Sequence, residues 1–181
     1  MEIKKAIRSK IERDYFFVVG DIDLDAKYFI NKIEEGIKDS SLNYQTNVVG
    51  QMTPWQFFLK DKKLLALLLE LVDYCEFQKI SDQPYSLVDA WGVKEGFGEY
   101  TKEHSHLPSY MSGSIYLNSH SQTLYFPEIK EEVEPKKGRF VLFSSFLKHY
   151  TKRIITNESK YCLAFNFDYR TINYNLQPTQ K

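Results

Sequence analysis

The stretch EHSHLPSYMSG, from Glu103 to Gly113, carries two of the chain's four histidines one residue apart. In an extended segment alternate side chains share a face, so His104 and His106 point one way and Ser105 the other. Two imidazoles converging from one short segment can supply two ligands to one metal ion. A third must come from elsewhere, and only His120 and His149 remain. His120 lies in the polar stretch NSHSQT and reads as an exposed turn residue. His149, in FLKHYTKR, follows the apolar run GRFVLFSS and is flanked by aromatic residues, which makes it the better third ligand. Taken alone, an HxH pair is read equally well as structural. The two cysteines, Cys75 and Cys162, have no metal-type spacing and read as small buried residues of a reduced protein.

The elements that must position these histidines change character near residue 80. Before it, DYFFVVGDI reads as a buried strand closed by Gly20. LDAKYFINKIEEGIKDS repeats its apolar residues Leu24, Tyr28, Phe29, Ile33 and Ile37 at helical spacing. KDKKLLALLLELVDYCEF reads as a second helix, and Trp55, Phe57 and Phe58 ahead of it as core anchors. After residue 80 come SLVDAWGV, SYMSGSIYLN, QTLYF, GRFVLFSS and SKYCLAFNFDY, aromatic or β-branched runs separated by EGFG, NSHS and EPKKG. Two helices followed by about eight short strands predict a mainly β, α+β protein with its helices on one face of a sandwich or small barrel. The expected organisation is a single domain over 1–181, with 1–80 a helical support carrying one strand and 81–175 the β core. Chemistry is then expected in the barrel's mouth.

Charge narrows the partners. Lys+Arg and Asp+Glu both number 24 and cancel, which disfavours a nucleic-acid ligand, whose affinity comes mostly from phosphate neutralisation. The longest apolar run, LLALLL from Leu64 to Leu69, is far short of the ~20 residues of a membrane span. The start, MEIKKAIRSKIERD, lacks the apolar core of a secretion signal. A cytoplasmic protein is expected; the oligomeric state is not legible.

The order of pieces in the second half resembles the Fe(II)/2-oxoglutarate-dependent oxygenases, a superfamily built on a double-stranded β-helix of jelly-roll or cupin type. The family pattern is an HxD or HxE pair, a distal histidine, and a basic residue soon after. The corresponding pieces here are HSH at His104 to His106, LKHY at His149, and SKYCLAFNF from Ser159. SGSIYLN is similar to a strand of the prolyl-hydroxylase-like members, and EPKKGRFVLFSSFLKH to the turn and strand that lead to their distal histidine. The likeness is greatest to a bacterial and phage subgroup with HxH, and it covers about residues 86 to 168.

The resemblance implies an oxygenase that couples oxidative decarboxylation of 2-oxoglutarate, with dioxygen as co-substrate, to hydroxylation of a C–H bond. It implies Fe(II) held by His104, His106 and His149, with imidazole His106 standing where the family carries a carboxylate. Lys160 takes the place of the usual arginine that grips 2-oxoglutarate, and Arg153 is the substitute for that role. Tyr116 and Asn166 are further candidates for the cofactor pocket. The substrate expectation is a peptide or protein side chain, proline above all, ahead of a metabolite. Asn43 to Phe58 and Val93 to Tyr100 are expected to rim its path. Two other readings stay open: a three-histidine iron dioxygenase that does not use 2-oxoglutarate, and a non-catalytic cupin-like binding module. Metal binding by histidines with ordinary pKa values is expected to weaken as the pH falls through about 6.5.

Overall fold

The computed structural model describes residues 13–40, 46–77 and 85–169, with the side chains of 74–77, Cys75 included, outside the description. Among the described residues two helices and eleven strands follow one another. The first helix, α1 (Ala26–Lys38), is stopped at its start by Asp25, whose carboxylate accepts from Tyr28 N at 3.2 Å. Asp61 does the same for α2 (Lys62–Phe77), accepting from Lys63 N and Leu64 N, each at 3.1 Å. Neither helix is long and apolar enough to cross a membrane.

The larger sheet has six strands in the order β1 (Phe17–Asp21), β9 (Arg139–Ser144), β6 (Met111–Tyr116), β11 (Lys160–Tyr169), β4 (Tyr85–Glu95) and β3 (Gln51–Met52). All its pairs are antiparallel, and β11 lies between β6 and β4. Facing it are shorter strands: β7 (Leu124–Phe126) between β8 (Glu131–Val133) and β10 (Tyr150–Thr151), and β2 (Val48–Val49) with β5 (Tyr100–Thr101). Thr101 N donates to Thr151 Oγ1 at 2.8 Å and so ties the two short groups together.

Alternation along the strands sorts the side chains into two cores. Leu163, Phe165 and Phe167 of β11, with Leu142 and Ile115, face the helices and meet Phe29, Ile33 and Leu68. Cys162 of β11, with Trp91, Val93, Tyr116 and Phe143, faces the short strands and meets Leu124, Phe126 and Val133. α1 comes so close to β4 that a Cβ on Gly92 would lie 2.3 Å from Ile33 Cγ1. Gly138 turns with φ +83°, and a side chain there would strike the Ile22 carbonyl at 2.3 Å.

The mainly β architecture with helices on one sheet agrees with the sequence. Three details differ. Residues 48–52 form strands β2 and β3, where one strand alone is expected before residue 80. At two residues each they are too short to show periodicity, and pairing with β5 and β4 alone defines them. Of the three aromatic anchors only Phe58 is buried; Trp55 and Phe57 stay about two-fifths exposed, at 40% and 39%. His120 is buried rather than exposed, its Nδ1 accepting from Gln122 N at 3.0 Å and its Nε2 facing Glu158 O at 3.2 Å.

Candidate metal centre and inner cavity

Backbone pairing brings the two histidine segments together. His104 and His149 form an isolated antiparallel bridge, with His104 N donating to His149 O at 3.1 Å and His149 N to His104 O at 3.0 Å. His106 N donates to Ser145 O at 2.8 Å, just beyond β9. HSH is therefore fixed by the chain that leads to His149, and the three ligand atoms lie within 4.8 Å of one another.

Each imidazole is oriented by an acceptor behind it. Nδ1 of His104 faces Lys102 O at 2.8 Å, Nδ1 of His149 faces Leu147 O at 3.1 Å, and Nδ1 of His106 faces Asn166 Oδ1 at 2.7 Å. A carbonyl oxygen only accepts, so all three Nδ1 atoms carry the proton and all three Nε2 atoms present a lone pair. Nε2 of His104 and Nε2 of His106 stand 3.1 Å apart with no proton to share. Two facing lone pairs repel unless a cation lies between them, and two nitrogens bound at about 2.1 Å to one ion at a right angle are about 3 Å apart. The donor set fits a divalent first-row metal.

Burial favours the same state. It lowers His104, takes His106 down to about 4 with help from the charge of His104, and holds His149 well below the usual histidine range. The neutral form that ligates persists well below the pH expected from an ordinary histidine, so proton competition for His106 moves toward pH 4.

The histidines open on a cavity of about 70 Å³ between the two sheets. Lys160 and Tyr116 line it, as do Trp91, Glu95, Phe143 and Cys162. Burial raises the Tyr116 phenol and the Cys162 thiol, so both stay protonated. Trp91 stacks on His106 with ring centroids 5.9 Å apart, and its buried Nε1 has no acceptor among the described residues. Lys160 reaches Glu95 across the β11–β4 register and forms a buried ion pair with it. The contact is electrostatic, because Glu95 Oε2 has no aligned hydrogen-bond donor.

Two of the expected cofactor residues sit elsewhere. Asn166 serves His106 instead of lining the cavity; its Oδ1 also accepts from Ser112 Oγ at 2.8 Å, and its Nδ2 reaches toward Asp89 Oδ2 at 3.5 Å. Arg153 is exposed, donating to Gly98 O at 2.8 Å and covering the Tyr100 ring, and it does not line the cavity. Glu95 and Trp91 went unread in the sequence. The alternation of Trp91, Val93 and Glu95 was the available signal, because it puts a glutamate on the same face as two apolar core residues.

The sandwich with helices on one sheet has the fold of solved prolyl hydroxylases and of HygX, solved with nickel and 2-oxoglutarate bound. No family profile and no curated protein matches the sequence; the likeness is to solved structures. The viral collagen prolyl hydroxylase of Paramecium bursaria Chlorella virus-1, in complex with 2-oxoglutarate, is 16% identical, with a TM-score of 0.65 over 84% of this chain and 94% of that one. A Trichoplax adhaerens prolyl hydroxylase, bound to a hypoxia-inducible-factor peptide fragment, is 17% identical, with a TM-score of 0.61 over 84% and 83%. HygX of Streptomyces hygroscopicus, bound to nickel, 2-oxoglutarate and hygromycin B, is 13% identical, with a TM-score of 0.63 over 86% and 83%.

Proposed function

We propose that this protein is an Fe(II)- and 2-oxoglutarate-dependent oxygenase that hydroxylates a C–H bond, its fold a double-stranded β-helix. The observation that carries the proposal is the convergence of three Nε2 lone pairs, each fixed from behind, on one buried point. His104, His106 and His149 would hold the iron, which supplies the activation of dioxygen. Lys160 and Tyr116, in the same cavity, are the candidates to orient 2-oxoglutarate. Phe143, Leu124 and Trp91 line the site with apolar surface and keep water from it.

For the substrate, a peptidyl side chain such as proline fits best. A groove of about 610 Å³ runs from Leu107, the residue after His106, past Pro108, Tyr110, Phe146 and Tyr169. Aromatic-lined grooves of this kind suit extended, proline-rich chains. Of the segments expected to form the rim, residues 43–45 lie outside the described residues, and the described residues 46–58 and 93–100 do not line this groove. Residues 48–52 are instead paired in the sheets. The experiment is incubation of iron-loaded protein with 2-oxoglutarate and candidate peptides. Succinate formation that needs iron, together with a gain of one oxygen in the peptide, is the expected result. Iron binding without any 2-oxoglutarate turnover would reject the proposal.

A further inference from the structure

The inner cavity holds an acid as well as a base. Lys160 is 3% exposed and Glu95 fully buried, and their charged ends meet in an ion pair. Thr101 Oγ1 donates to the second Glu95 oxygen, Oε1, at 2.8 Å, so the carboxylate is held from both sides. Burial keeps Tyr116 and Cys162, which line the same end of the cavity, in their uncharged forms. At this end of the cavity one positive charge therefore faces one negative charge, and they cancel.

A lone anchor lysine in a dry pocket selects strongly for a carboxylate. Beside a buried glutamate the same incoming carboxylate meets repulsion as well as attraction. We propose that Glu95 is a specificity-determining residue: it offsets the charge of Lys160 and so relaxes the demand for a second carboxylate, opening the pocket to 2-oxo monocarboxylates. The inference rests on the oxygenase reading above.

The test compares Kd for 2-oxoglutarate and for 2-oxopentanoate, which has the same chain length and no distal carboxylate, by calorimetry on the nickel-loaded full chain. Glu95→Gln keeps the size of the side chain and an acceptor for Thr101. It should shift the ratio of the two Kd values toward 2-oxoglutarate by about tenfold or more. A general loosening of the pocket would move both constants together and leave the ratio alone. Should Glu95→Gln fail to fold with Lys160 unpaired, the doubly neutral Glu95→Gln/Lys160→Gln variant decides. It should keep the native ratio to within about threefold, because a cancelled pair and a neutral pair select alike. An unchanged ratio in the single variant, or a larger fall in the double one, overturns the role of Glu95 and leaves the oxygenase reading standing. Failure of the nickel-loaded native chain to bind either acid overturns both.

Discussion

The two ends of the inner cavity bury polar groups in opposite ways. At the metal end the histidines are neutral, each backed by a carbonyl or amide oxygen, and their lone pairs face one another. At the anchor end Lys160 and Glu95 are buried as opposite charges. The first arrangement is incomplete without a cation, whereas the second is already complete. The lesson is that one cavity can be primed for a ligand at one end and satisfied at the other, and different perturbations should tell the ends apart.

Removing one member of the satisfied pair should have the largest effect. Lys160→Ala leaves Glu95 charged and buried, and a loss of about 3–5 kcal/mol of stability is expected in urea unfolding. Metal content should stay near native, because Lys160 touches none of the histidines' fixing partners. A stability loss below about 1 kcal/mol would mean that the pair is solvated and the contrast between the ends false.

The metal end should respond in affinity instead. His149→Ala removes one of the three proposed ligands, and metal binding should fall by more than the ten- to hundredfold typical of outer partners, about hundredfold or beyond. Metal analysis after equilibrium dialysis checks this, and unchanged occupancy would remove His149 from the site. Asn166→Ala acts one step further out. Freed from its acceptor, His106 can adopt the other tautomer, and metal affinity should drop about ten- to hundredfold. Asn166→Asp, which keeps an acceptor at that point, should recover most of the loss.

Smallest for each histidine and each pH unit is the proton dependence of the metal-free protein. A histidine lowered in the folded state binds its proton more readily when unfolded. Stability is therefore complete above the ordinary histidine pKa and is lost as the pH falls from about 6.5 toward 4, the value of His106. The slope should be roughly 1 kcal/mol per pH unit for each histidine that stays neutral. Saturating metal should raise stability by a constant amount over that range and carry the slope below about pH 4, since a ligated histidine resists protonation further. A flat profile for the metal-free protein would show that the three rings are more open to water than their burial indicates.

The metal end was largely legible in the sequence and the anchor end only half so. His104, His106 and His149 stood out because histidine is scarce here, and two of them share a face by simple alternation. Lys160 and Tyr116 came through the order of motifs, and both line the cavity. Glu95 did not, because KEGFGE reads locally as a charged turn. Its burial follows from the β4–β11 register, a pairing between distant segments. The same limit hid the role of Asn166, whose partner His106 comes from outside the regular strands. Arg153, the substitute for Lys160 in the sequence reading, lies at the surface against the Tyr100 ring.

Strand β11 carries Lys160 at its start, Cys162 on the cavity wall and Asn166 behind His106, while Leu163, Phe165 and Phe167 face the helices. Because side chains alternate, the gain or loss of a single codon near residue 161 would exchange the two sets. Lys160 would lose its register with Glu95, and apolar rings would crowd the cavity. Drift by insertion and deletion is therefore barred along this strand. The stretch before it, from Ile155 to Glu158, is exposed and outside the strands, and it is where the gene can change length at least cost to the site.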